Sequence, residues 1–257
     1  MRASLLALGL FLAIGLGGPG EGRAENLVVA LSTDHVRISS SFTGTSLAVF
    51  GAIETQPASM QDRATQPYEI VVVVRGPPET VVTRRKERVA GIWLNRAART
   101  FHDMPSFYAV GASRPLDEIA PPEMLATYGI GFAHLDFGSS RAGAEEMAFR
   151  DSLVRLKRDA GLFREDRYGV TFPGLAAFLA RIDLPANVPV GSYRVSVFLF
   201  QGGRMLTTNG ADFRISKTGF EQLTFDLAQQ YGYLYGLAAI LLALLTGWLA
   251  GVLFRRD

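Results

Sequence analysis

Residues 25 to about 113 carry short apolar runs separated by turn residues. The run 27–31 is the first, His35-Val36-Arg37-Ile38-Ser39 alternates with Val36 and Ile38 on one face, and 47–53 follows a Thr/Gly turn. Alternation with period two is the mark of a strand with one buried face. Tyr68-Glu69-Ile70-Val71-Val72-Val73-Val74 differs: from Ile70 on it is β-branched and does not alternate. Such a run predicts a central strand buried on both faces, ended here by Gly76-Pro77-Pro78. Segments 80–82 and 89–94 predict strands on either side of the charged run Thr83-Arg84-Arg85-Lys86-Glu87-Arg88, which reads as a solvated hairpin tip; 107–110 predicts another strand.

The pattern changes over 117–161. Segments 123–128 and 144–160 lack strand alternation, and Met147, Leu153, Leu156 and Ala160 fall along a rough helical face. A helical insertion of about 117–161 is expected. Strands resume after Tyr168, with one over 175–184 and a loop at Pro185-Ala186-Asn187-Val188-Pro189-Val190-Gly191. Tyr193, Val195, Val197 and Leu199 then alternate, Gly202-Gly203 signals a hairpin, and Asn209-Gly210 inside the following segment suggests a bulge or second turn. Many short strands with frequent turns predict a mostly β fold, an immunoglobulin-like β-sandwich over 25–217 with the helical insertion.

The two ends carry longer apolar runs. Arg2 precedes an apolar run over 5–16, and Gly22 and Ala24 suit a signal-peptidase site. The reading is a cleaved signal peptide over 1–24; an uncleaved N-terminal anchor is the alternative. Residues 233–254 contain no charge, and a helix of that length reaches about 33 Å, enough for a membrane crossing. Tyr231, Tyr233 and Tyr235 suit one interface and Trp248 the other, while Arg255 and Arg256 put the tail 255–257 in the cytoplasm. The expected topology is therefore a single transmembrane helix with the domain outside, periplasmic in a bacterial inner membrane. Thr218-Gly219-Phe220-Glu221 fits a capping box, starting a juxtamembrane helix over 218–232. Its stripe Phe220, Leu223, Leu227, Tyr231 and Leu234 would pack on the domain or on a partner. Within the span, Ala239, Ala243, Gly247 and Gly251 repeat every four residues, a small-residue face that would let a partner helix approach closely.

Charge sharpens this topology. The chain has 26 Lys+Arg and 24 Asp+Glu, a net charge of +2. Setting aside Arg2, Arg23, Arg255 and Arg256 with Glu21 and Asp257 leaves 22 of each sign, so the excess sits at the ends. With 48% hydrophobic and 19% charged residues the chain is too apolar for disorder. There is no Cys, which excludes disulfides, thiolate metal sites and Cys nucleophiles. His35, His102 and His134 form no HExxH or HxH spacing; His134 and Asp136 together are too few for a metal site, so none is expected. Gly138-Ser139-Ser140-Arg141-Ala142-Gly143 resembles a nucleophile elbow loosely, with Ala142 in place of the second Gly. No nucleotide-binding loop occurs, so no cofactor is expected. Arg84, Arg85, Lys86 and Arg88 remain as a candidate anion or headgroup site, because clustered guanidinium groups hold phosphate and sulfate. Nucleic acid is excluded by the expected location.

Five stretches together carry a resemblance: VRISSSFTGTSLAVFGAIE (36–54), YEIVVVVRGP (68–77), RRKERVAGIWLN (84–95), MPSFYAVGASRPL (104–116) and VPVGSYRVSVFLFQGGRML (188–206). With the two apolar ends, they resemble Alph_Pro_TM, a transmembrane protein family of alphaproteobacteria. The resemblance implies a single-pass inner-membrane protein and, through neighbours of the sulfite-exporter permease type, a transporter accessory role. It implies no catalytic residues. The leading expectation is a non-enzymatic binding or accessory subunit whose partner is a membrane protein, a permease or a second copy. The alternatives are a periplasmic anion- or small-ligand-sensing module, and an unrecognised hydrolase using His134, Asp136 or Ser140.

Overall fold

A computed structural model describes residues 26–54, 67–89, 91–138, 143–218 and 232–253. The expected signal peptide, the capping box from Gly219 on and most of the juxtamembrane stripe lie outside the described residues. The fold is mostly β, in three sheets. In chain order the strands are β1 Asn26–Leu31, β2 His35–Ile38, β3 Gly44–Glu54, β4 Tyr68–Arg75, β5 Pro78–Val89, β6 Ile92–Pro105 and β7 Tyr108–Ala112. Helices α1 Leu116–Ile119, α2 Pro122–Tyr128 and α3 Ala144–Asp159 follow, then β8 Phe163–Asp166, β9 Val170–Thr171, β10 Ala177–Pro185, β11 Gly191–Gln201 and β12 Arg204–Lys217. Helix α4, Gly232–Leu253, closes the described chain.

The first sheet has the order β1-β3-β10-β9 and the second β2-β12-β11-β4-β7-β8. They share one core: Leu47, Val49, Phe178 and Ile182 from the first meet Ile70, Val72, Val74, Val195, Val197 and Phe213 from the second. The expected two-sided burial of β4 is found. Ile70, Val72 and Val74 enter this core, while Val71 and Val73 enter another on the opposite face. That second core holds Phe198 and Phe200 of β11, Phe101 and Met104 of β6, Ile119, Leu125, Phe149 and Leu153 of the helices, and Phe163 of β8. Helices and the base of a β5–β6 ribbon thus form a third layer over the second sheet.

Three local expectations are corrected. Of the expected α3 face Leu153 is buried, but its packing companion is Phe149, four residues before it, while Met147 and Leu156 are 50% and 57% exposed, because the helix lies on the sheet through that i, i+4 aromatic–aliphatic pair. Asn209-Gly210 makes neither bulge nor turn. β12 runs through it, and the register shift lies between Leu199 and Phe200 of β11. Gly210 is needed for proximity: a Cβ there would collide with the Val195 carbonyl oxygen. The charged run 83–88 is not a tip either. β5 extends through it to Val89, which pairs with Ile92, and Gly91 between them has φ +87°.

A polar cluster pins the helical layer. Tyr108 of β7 donates its hydroxyl to the Gly129 carbonyl (2.8 Å) and accepts from the Gly131 amide (2.9 Å). Arg75, at the end of β4, donates to the carbonyls of Tyr128 (2.9 Å) and Gly129 (2.8 Å) and lies over the Tyr108 ring. Burial pushes the Tyr108 phenol up to about 12, against the opposing pull of the Arg75 guanidinium.

The last helix stands apart. α4 is 22 residues without a charge, and Ile240, Leu241, Leu242, Leu244 and Leu245 are all exposed. Its side chains are described without a break over 240–251. That unbroken run is shorter than a bilayer crossing, and among the described residues no helix is long and apolar enough to cross a membrane.

Tyr108→Phe is expected to cost about 1–3 kcal/mol at neutral pH, since it strands the buried Gly131 amide, while the Gly129 carbonyl keeps its Arg75 donor. An unfolded phenol ionises near 10, below the folded value, so the folded state favours the neutral form. This contribution is complete below about pH 10 and fades as pH rises toward 12. Denaturant titrations of both proteins across that range measure it, with the variant losing less stability over the window than the wild type.

Candidate functional site

Where the cations of 84–88 point follows from strand geometry. Side chains alternate across a strand, so Arg84, Lys86 and Arg88 share one face of β5 and Arg85 and Glu87 the other. Across the ribbon Arg88 lies opposite Trp93 and Lys86 opposite Asn95; the register shifts between Arg85 and Lys86, so that Arg84 lies opposite Ala98.

The two faces differ in their partners. Arg85 is tied down: it pairs with Glu87 (3.0 Å) and Glu145 of α3 (3.5 Å) and lies over the Phe149 ring at 5.7 Å. Arg99 of β6 joins the same arrangement, 3.5 Å from Glu145 and 5.9 Å from the Phe149 ring. Glu145 and Phe149 therefore clamp the ribbon to α3 about midway along it, and Lys157 of α3 pairs with Glu79 near the base. Such clamps matter because a two-stranded ribbon alone is marginal in water. Arg84, Lys86 and Arg88 are exposed and have no ion-pair partner among the described residues.

A cleft of about 260 Å³ lies between the unpaired edge of β5 and α3. Arg84, Arg85, Lys86 and Arg155 line it, with Phe149 and Leu156 as its apolar part and no carboxylate in the lining. Its volume is below the usual range for cofactor pockets and suits a compact anionic group. Cations along an open strand edge also discourage pairing with another chain's edge. Sequence reading found Arg84, Arg85, Lys86 and Arg88 but missed Arg155. The register of α3 against β5 brings Arg155 there, and no local pattern encodes that contact.

Other cavities have a different character. One of about 590 Å³ is lined by Arg75, Arg194 and Arg214, but Asp34 and Asp212 line it as well. Arg194 pairs with Asp212 at 3.0 Å and holds the Asp212 carboxyl below the usual carboxylate range, so these charges largely satisfy one another. Another, of about 500 Å³, places Asp136 beside His102 and Glu146, and His134 is not part of its lining. Ser140 lies outside the described residues. His35 bonds to Ser216 (2.8 Å) and His102 contacts Thr80 (3.4 Å). Among the described residues no group of three His, Asp or Glu could hold a metal ion.

On α4, Ala243 is exposed, and a Cβ built on Gly247 or Gly251 would meet nothing. The side chain of Ala239 lies outside the described residues.

No curated protein matches the chain. A family model described as "Putative transmembrane protein (Alph_Pro_TM)" matches residues 26–256, nearly the whole length, and the chain belongs to that family.

The split between the two faces of β5 has a measurable consequence. Arg85→Ala removes two exposed ion pairs and a ring contact and is expected to lower stability by about 0.5–1 kcal/mol. Arg84→Ala, with nothing to break, should stay within about 0.5 kcal/mol of wild type. Thermal or urea unfolding of the two variants compares them directly.

Proposed function

We propose, from that membership, that the protein is a single-pass component of the bacterial inner membrane. Its domain 25–217 lies in the periplasm, α4 crosses the bilayer, and 255–257 are cytoplasmic. The domain acts as a non-enzymatic binding or accessory subunit for a membrane partner, a multi-span permease or a second copy.

The observation that carries this reading is α4 itself. Its 22 charge-free residues amount to about 33 Å of helix. Burying each Leu or Ile is worth about 1.5–3 kcal/mol, so a row of exposed ones calls for an apolar surrounding that the β layers do not supply. Thr246 donates its hydroxyl to the Leu242 carbonyl at 2.9 Å, which keeps it satisfied without water. The open face at Ala243, Gly247 and Gly251 supports a close-packed partner helix.

An immunoglobulin-like domain is part of this reading. The orders β1-β3-β10-β9 and β12-β11-β4 correspond to the ABED and GFC sheets of that fold. At the start of β11, Tyr193 donates its hydroxyl to the carbonyl of Pro189, four residues back, as the tyrosine corner of such domains does. Burial raises this phenol well above its ordinary value.

A second reading, a periplasmic anion-sensing module, is favoured by the basic cleft at Arg84, Arg85, Lys86 and Arg155. Sulfate or phosphate titration of the wild type against Arg84→Glu/Lys86→Glu tests it; saturable binding lost in the variant supports it, and no binding by either removes it.

The absence of Cys makes topology directly measurable. With Ser192→Cys and Asp257→Cys introduced singly, an impermeant maleimide is expected to label position 192 in intact spheroplasts and position 257 only after permeabilisation. The reverse pattern overturns the orientation. Affinity capture from gently solubilised membranes is expected to recover a partner or a second copy, and Gly247→Ile to weaken that complex. Recovery of monomer alone in several detergents counts against an accessory role.

A further inference from the structure

We propose that the β5–β6 ribbon is a docking arm for an anionic lipid surface, with Arg84, Lys86 and Arg88 against the headgroups and Trp93 at their level. Three independent features of the ribbon point to this occupant. First, the three cations lie on one strand face, spaced two residues apart, and none is neutralised among the described residues. Strand geometry puts about 6–7 Å between successive members, so the row can meet neighbouring phosphates rather than one. Second, the end of the ribbon is apolar: Ile92 and Trp93 are each 65% exposed and Leu94 is 49% exposed. Trp93 faces the same way as Arg88, its register partner, which joins an indole to the end of the cationic row. Indole rings favour the interface between headgroups and acyl chains, and basic residues beside them favour anionic lipid. Third, the opposite face is already used. Arg85 and Arg99 clamp the ribbon to α3 through Glu145 and Phe149, which leaves Arg84, Lys86 and Arg88 unpaired, Arg84 and Lys86 bordering the cleft beside α3 at the open edge of β5.

Charge complementarity selects the occupant. Arg155 extends the positive surface across the cleft beside β5, where the lining contains no carboxylate, so a phosphate would meet no opposing charge there. A soluble anion would account for the cleft but not for three exposed apolar side chains at the end of the ribbon. A protein partner would account for the apolar end but does not call for an unneutralised row of cations. A bilayer with anionic headgroups uses both. The proposal rests on the membrane tether read above, since that tether keeps the ribbon close to a bilayer and lets a modest docking energy suffice.

The full chain contains two Trp, Trp93 and Trp248, so each can be observed alone. In nanodiscs, the Trp248→Phe chain reports the ribbon and the Trp93→Phe chain reports α4. Discs are made of phosphatidylcholine alone, or of phosphatidylcholine with phosphatidylglycerol, each with and without brominated lipid. Trp248 is expected to be quenched by brominated lipid in both kinds of disc; failure there overturns the tether and not the docking. Trp93 is expected to shift to shorter wavelength and be quenched in anionic discs alone, and to lose both responses in about 1 M salt, where screening is nearly complete.

Each cation is worth roughly fivefold in the ratio of docked to free ribbon, so Arg84→Gln/Arg88→Gln should lower it roughly 25-fold. Arg84→Glu/Lys86→Glu/Arg88→Glu should abolish it, with Trp248 quenching unchanged. Trp93 emission that is the same in both discs overturns the proposal, as does a response that survives charge reversal. A shift produced in neutral discs by inorganic phosphate assigns the ribbon to a soluble anion instead. A shift that requires a co-purified protein assigns it to that partner.

Discussion

The burial of β4 on both faces is the constraint on which the rest of the architecture depends. A strand reading Ile-Val-Val-Val-Val has no polar side to offer solvent, so each face of the second sheet must be covered. The first sheet covers one face through Ile70, Val72 and Val74. Nothing in a two-sheet sandwich covers Val71 and Val73. The helices between β7 and β8 and the base of the β5–β6 ribbon do so, bringing Phe149, Leu153, Phe101 and Met104 onto them. The polar cluster of Arg75 and Tyr108 holds this layer by the backbone of 128–131, where helical carbonyls would otherwise be left unpaired.

The ribbon's character follows from that third layer. The strands of β5 and β6 are longer than the core needs. Val81, Phe101 and Met104 are drawn into the base, and what remains runs out beyond the core with both faces open except where α3 reaches it. α3 meets one face through Glu145 and Phe149, and that face absorbs Arg85 and Arg99. The other face keeps Arg84, Lys86 and Arg88 unneutralised. A run that reads as five basic or acidic side chains in a row therefore becomes two chemical surfaces, one a structural clamp and one a free cationic row. Electrostatics alone would not have made this division; the alternation of side chains across a strand does.

Much was legible in residue order, and the reasons are local. The mostly β character, the central position of β4, the alternation of β11 and the hairpin at Gly202-Gly203 all depend on periodicity and turn chemistry within a few residues. The misreadings have a common origin. Gly210 looks like a turn residue, but it is there because the Val195 carbonyl lies against it from the neighbouring strand. Met147, Leu153 and Leu156 look like a core stripe, but of these the core receives Leu153, with Phe149 beside it. The charged run looks like a hairpin tip because charges favour solvent, yet the strand continues through it to the turn at Gly91.

By itself the sequence determined that the chain is mostly β, that a charge-free apolar segment lies over 233–254, that its excess charge sits at its ends, and that it carries one dense run of cations. These are properties of composition and short-range order, which the chain possesses before it folds. Only the tertiary structure decided which of those cations are spent and which are free, that Arg155 joins them across a cleft, and that Trp93 stands at the end of the free row. The clamp of Arg85 by Glu145 and the approach of Arg155 to β5 are contacts between residues far apart in the chain. Such contacts depend on register and on how helices settle on a sheet, and both are set by the packing of two cores against the faces of one buried strand.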